Sequence, residues 1–273
     1  MRDGTALLSA HLSTPERATW ARGDAEGCVP LGAPALDTAL GGGLARGRLH
    51  EVFARSPADA VAAAGFSAML AIRVPGEIIW LRQARTTRSV PYPPGLAEIG
   101  LDPGRLVLVT LPDVTALLRA AADAARCPGV GVVMVSVAGN PRLLDLTATR
   151  RLALAAERTR ATVLLTRVAA KENPSAARTR WRVAAAPSAP LAGMAPGAPL
   201  AGMAPGAPTL RLELPRRRGG PPAGPWVMEW DRAERCLRPF GEAARAAEDA
   251  AALPRALPAT ARPGPDTPER RIA

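Results

Sequence analysis

Between residues 31 and about 185 the chain alternates short apolar runs with helical stretches. The runs, rich in Val, Leu and Ile, fall at 49–53, 78–81, 106–111, 130–137 and 163–168, and the helical stretches at 58–72, 114–126 and 143–158. Strands that are apolar throughout, rather than at every second position, need cover on both faces, and crossover helices supply it. The pattern predicts an α/β domain with a mainly parallel sheet flanked by helices.

Outside that stretch the patterning changes. Residues 1–30 form a mixed N-terminal segment with one short helix expected around 6–12. A nine-residue unit, Ala189-Pro-Leu-Ala-Gly-Met-Ala-Pro-Gly197, is repeated at once as residues 198–206. Proline and glycine at that density form neither a helix nor a central strand, so 187–208 reads as a flexible insert. Beyond it, 209–214 alternates as a strand. Residues 226–231 are its expected hairpin partner, across the turn-rich Arg216-Arg-Arg-Gly-Gly-Pro-Pro222. From residue 241 to 273 the chain is rich in Ala and Pro with balanced charge, the composition of a disordered tail. The expected organisation is an N-terminal segment, one domain over 31–240, and that tail.

The most informative stretch reads Leu31-Gly-Ala-Pro-Ala-Leu-Asp-Thr-Ala-Leu-Gly-Gly-Gly-Leu-Ala-Arg-Gly-Arg-Leu-His-Glu-Val-Phe53. Glycines at 41, 42, 43 and 47 permit a tight turn with positive φ ahead of the strand. Joined to Leu36-Asp37 before it and the apolar run after it, this segment resembles the RecA family. There, L-D-x-A-L-G-G-G-L-x-x-G leads into the strand that feeds the phosphate-binding loop. The resemblance implies a RecA-like core of P-loop NTPase type over about 31–185, with C-terminal β-hairpin strands.

The chemistry of that loop is missing. A G-x-x-x-x-G-K-[ST] loop wraps phosphate in glycine amides, neutralises it with lysine and binds Mg²⁺ through its hydroxyl. By position, Asp59 replaces the second glycine, Ala60 the lysine and Val61 the hydroxyl residue. Lys171 is the only lysine in the chain, so no realignment restores one. Gln83 stands where the resemblance expects a glutamate base, and glutamine accepts no proton at neutral pH. Ser136 ends the run Val130-Gly-Val-Val-Met-Val-Ser136, where an aspartate should organise Mg²⁺. The expectation is a degenerate nucleotide site with no catalytic residue, cofactor, metal or ATP hydrolysis.

Composition adds less. The net charge is +11, carried almost wholly by arginine, and Ala, Arg, Gly and Pro dominate, as in any GC-rich genome. The distribution says more: residues 142–182 hold ten basic residues against three acids, Asp145, Glu157 and Glu172. A solvated helix face and a surface for phosphate or acidic protein both fit that excess. The candidate partner or DNA contacts are Arg150, Arg151 and Arg158 on a helix, and Arg216, Arg217 and Arg218 in the hairpin turn. Three scattered cysteines (28, 127 and 236) and two histidines (11 and 50) offer no metal-ligand spacing. No G-x-S-x-G elbow occurs. No apolar run reaches the length of a bilayer span, and the first residues lead into no signal-type apolar core, so a cytoplasmic protein is expected.

Among RecA-like chains without a working P-loop, this one resembles the ImuA family of bacterial damage-inducible mutagenesis proteins. The residues that carry the likeness are Arg178-Thr-Arg-Trp-Arg-Val183, Leu210-Arg-Leu-Glu-Leu214, Arg217-Arg-Gly-Gly220 and Trp226-Val-Met-Glu-Trp-Asp231. The resemblance implies a non-catalytic adaptor in SOS-induced, error-prone translesion synthesis. Its implied partners are an ImuB-like Y-family protein, an error-prone C-family polymerase and RecA, with DNA contacted indirectly and no membrane. Two other readings compete: a SulA-like inhibitor of cell division, and a RecA-type ATPase or recombinase with unconventional nucleotide residues.

Overall fold

The computed structural model describes residues 27–84, 91–189 and 206–241. The expected helix at 6–12, most of the duplicated insert and nearly all of the 241–273 tail lie outside them. Six parallel strands build the middle of the sheet: β3 (Leu49–Ala54), β4 (Glu77–Gln83), β5 (Leu106–Leu111), β6 (Val130–Ala138), β7 (Thr162–Val168) and β8 (Thr179–Ala185). Three more, β9 (Thr209–Arg217), β10 (Ala223–Asp231) and β11 (Cys236–Pro239), continue it antiparallel from β8. The order across the nine strands is β11-β10-β9-β8-β3-β7-β6-β4-β5.

Helix α2 (Ala60–Arg73) covers one face, against β3, β6, β7 and β8. Its core, centred on Phe66 packed edge-on to Trp181 at 5.3 Å, runs on beneath Leu210, Leu212, Leu214, Met228 and Trp230 of the C-terminal strands. Helices α4 (Val114–Arg126) and α5 (Leu146–Thr159) cover the other face with an aliphatic core of Val, Leu and Ala. The five expected strands and three expected helices are all present, within a few residues at their ends. Helix α5 starts three residues later than the apolar spacing implies because Asp145 caps it, its carboxylate accepting from Ala148 N–H (2.8 Å).

Besides the four-residue strand β11, four short pieces were not expected from the sequence. They are the two-residue strands β1 (Cys28–Val29) and β2 (Leu44–Ala45), helix α1 (Pro34–Leu40) and helix α3 (Pro93–Glu98). The glycine run ends α1: Gly41 sits at φ +79° and donates to Thr38 O (3.0 Å). At Gly43, φ +125°, a Cβ would come within 2.3 Å of Val29 O, so the β1–β2 pair forms only around a glycine.

Candidate functional site at the end of strand β3

In open α/β sheets the ligand position lies beyond the carboxyl ends of the parallel strands. Here β3 ends at Ala54, and Arg55 N–H donates to Val183 O (2.8 Å), pinning the following turn to β8. Pro57–Asp59 then make a single 3-10 turn that closes on itself. Asp59 Oδ2 accepts from Ser56 N–H (3.0 Å) and from Ser56 Oγ (2.6 Å), while its Oδ1 accepts from Ala185 N–H (2.9 Å) at the end of β8. Asp59 N–H donates to Ser56 O (3.1 Å) and Ala60 N–H to Pro57 O. The amides of Ser56, Asp59 and Ala60 are all spent within the protein.

In a phosphate loop such amides point at the nucleotide; here Ser56 N–H meets a carboxylate supplied by the chain, and those of Asp59 and Ala60 meet backbone carbonyls. The Ser56 hydroxyl, followed by the Ala185 amide, holds the Asp59 carboxyl below its ordinary range, so it is charged at neutral pH. Ala60 is half-buried and Val61 is 82% exposed, and neither side chain can neutralise phosphate or hold Mg²⁺. MgATP, the ligand this fold implies, does not fit these residues: its phosphates would meet a fixed negative charge and no lysine.

One row across the sheet carries the remaining positions, Val52, Thr166, Ser136 and Arg82 in successive register on β3, β7, β6 and β4. Strand alternation turns Ser136 and Thr166 toward α2. Ser136 Oγ accepts from Trp80 Nε1 (3.1 Å), and Thr166 Oγ1 meets Ser67 Oγ of α2 at 2.9 Å. Gln83 alternates with Ile79 and Leu81, whose side chains pack under α4 and α5, so it and Ser136 face opposite sides of the sheet. The residue beside Ser136 on the α2 face is Arg82, which donates to Thr110 Oγ1 (3.1 Å).

Part of the basic excess at 142–182 is neither solvated nor on a helix. Glu51 and Arg167 have fully buried side chains, and Arg180 is 8% exposed. Arg180 donates to Glu51 Oε2 through Nε (3.0 Å) and Nη2 (2.8 Å), and both guanidinium groups stack on Phe53, at 5.4 and 5.3 Å. Arg167 donates to Asn140 Oδ1 (2.8 Å) and lies 3.8 Å from Glu51 Oε1. The segment 169–178 closes over this cluster, bonded to α5 through Ala176 N–H to Thr149 Oγ1 (3.2 Å), and to Arg180 through Asn173 O (2.7 Å). This cluster was not expected from the sequence; charged residues inside apolar runs, as in Leu-His-Glu51-Val-Phe and Leu-Leu-Thr-Arg167-Val, are the signal that could have found it.

The hairpin arginines also differ from the expectation of a solvated trio. Arg216 is half-buried and donates to Ser175 O (3.1 Å), and Arg217 reaches back to Ala39 O at the end of α1. Only Arg218 is exposed. The reason is geometric: the strand continues to Arg217, so two of the three arginines belong to β9 rather than to its turn. Arg150, Arg151 and Arg158 are exposed on α5 as expected. The structure does not gather the six into one patch. Thr149, next to Arg150, bonds Ala176 of the 169–178 segment and Arg218 N–H bonds Arg178 O at its end, whereas Arg158 follows Glu157, the partner of Arg48 at the start of β3.

Fold and site together define a RecA-like α/β domain in which a self-capped turn stands where the phosphate loop would be. The RadB recombinase structure superposes with a TM-score of 0.52 at 16% identity, covering 78% of this chain and all of that one. In sequence, Protein ImuA of Caulobacter vibrioides, from strains NA1000 / CB15N and ATCC 19089 / CIP 103742 / CB 15, is 31% identical over 229 residues. The match spans 78% of this chain and 87% of those proteins. The chain belongs to the ImuA family. No family model matches it.

Proposed function

We propose that this chain is a non-catalytic RecA-like adaptor in damage-induced, error-prone DNA synthesis, working beside an ImuB-like Y-family protein and an error-prone C-family polymerase. The observation that carries the reading is Asp59, whose carboxylate takes up the Ser56 and Ala185 amides and ties the turn ahead of α2 to the end of β8. A fold that keeps its sheet, glycine turn and flanking helices while its nucleotide position is filled from within is suited to docking rather than turnover. Membership of the ImuA family supports the mutagenesis setting and the choice of partners. Interaction, in this reading, needs no nucleotide cycle.

The test is capture of the purified Y-family-like protein and the polymerase by the full-length chain, with and without MgATP. The same capture under both conditions is expected. Failure to bind either protein contradicts the adaptor role, and capture that appears only with MgATP contradicts its independence of nucleotide.

A further inference from the structure

Helix α5 buries Thr149, Leu152, Ala155 and Ala156 against the sheet and α4, and leaves one stripe in solvent. That stripe is Thr147, Arg150, Arg151, Leu154, Glu157 and Arg158, spaced as one helical face. Leu154 is 60% exposed, and Leu143, in the turn before the helix, is 56% exposed. They are two of the five exposed large hydrophobics among the described residues, and the only two within twelve residues of each other in sequence. Arg150 and Arg151 lie one turn before Leu154 and Arg158 one turn after it, so an apolar centre is ringed by guanidinium groups. Glu157, the stripe's acid, is taken by Arg48. Among the described residues Arg150, Arg151 and Arg158 have no ion-pair partner.

We propose that this face of α5 docks an acidic amphipathic helical segment of a partner protein, its apolar residue on Leu154 and its carboxylates on Arg150, Arg151 and Arg158. The inference rests on the adaptor reading and adds the surface and the chemistry of its occupant. Charge selects the occupant. A second copy of the same face would bring three unpaired arginines against three more, and like charges at an interface repel. Nucleic acid suits the arginines but not the centre, because phosphates over Leu154 would lose water and gain no apolar contact. An acidic helix satisfies both, burying its apolar anchor while the planar guanidinium forks donate to its carboxylates at the rim.

The full-length protein is compared with Leu154→Ser and with the Arg150→Glu/Arg151→Glu pair; both changes are solvent-facing, and unchanged thermal midpoints confirm folding. Each is titrated against the purified Y-family-like protein, the C-family polymerase, and a DNA duplex of about 20 base pairs at about 0.15 M salt. Wild type should bind one of the two proteins, and each variant should bind it about tenfold or more weakly, as loss of an interface anchor does. If neither protein binds wild type, the adaptor reading falls and this surface with it. If wild type binds and both variants bind equally well, the surface is wrong while the adaptor role stands. A loss confined to the arginine pair, with duplex DNA competing, would make the face a phosphate site and overturn the proposal. Dissociation of a wild-type dimer by Leu154→Ser would overturn it in favour of self-association.

Discussion

Glu51 is the residue whose environment departs furthest from its chemistry: a carboxylate with no exposed surface, in the strand that elsewhere would lead to nucleotide. Its Oε2 is held twice by Arg180, whereas Oε1 has only the 3.8 Å approach of Arg167. Removing one member of a buried pair strands the other charge. Glu51→Ala is therefore expected to cost about 3–5 kcal/mol in urea denaturation. A loss below about 1 kcal/mol would mean the pair is hydrated. His50, beside it in sequence, is also fully buried. Its Nε2–H donates to Ala45 O (2.8 Å), and Nδ1 accepts from Thr179 Oγ1 (2.7 Å), which itself accepts from Trp181 Nε1 (3.1 Å). Burial holds the imidazole at about 4, down from 6.5. As pH falls below 6.5 the unfolded chain takes up this proton and the folded one does not. The contribution is intact above 6.5 and is lost between 6.5 and about 4, amounting to about 3 kcal/mol. Denaturation across that window should slope accordingly in wild type and flatten in His50→Gln; Asp59, depressed from the ordinary carboxylate range, acts only at lower pH.

At the level of elements, the arginines at the end of β9 separate structural from free cations. Arg217 ties β9 to the end of α1, and its guanidinium lies 2.8 Å from where a Cβ on Gly41 would stand. Arg217→Ala is expected to lose about 1–2 kcal/mol, as a part-buried carbonyl loses its charged donor. Arg218→Ala should stay within about 0.5 kcal/mol, as an exposed side chain does. Equal thermal midpoints for the two variants would show that Arg217 braces nothing. The strands and main helices were legible because the five expected strands are mostly apolar, β3 and β7 being interrupted only by His50, Glu51, Thr166 and Arg167, and each main helix spans more than ten residues. The two-residue strands were not, since β1 and β2 depend on the close approach at Gly43 rather than on any side-chain pattern. The partition of the arginines was hidden for a similar reason. Sequence shows three adjacent cations, and only the register of β8 with β9, pairing Arg180 with Arg216, shows which of them point at backbone carbonyls.

The whole molecule keeps the RecA-like sheet and replaces what that sheet usually serves. Absence of the lysine could be read directly from the sequence, because Lys171 is the only one in the chain. What the sequence did not reveal is that Asp59 bonds both to Ser56 and to the end of β8, so it joins the turn to the sheet as well as repelling phosphate. Nor did it reveal that Gln83 and Ser136 face opposite sides of the sheet, which needs the strand phase to within one residue. The most direct measurement is steady-state ATP hydrolysis by the purified full-length chain, with and without single-stranded DNA, for wild type and Asp59→Arg. No turnover above the protein-free blank is expected from either. Wild-type turnover that disappears in Asp59→Arg would place a working nucleotide site at the end of β3 and contradict the non-catalytic account.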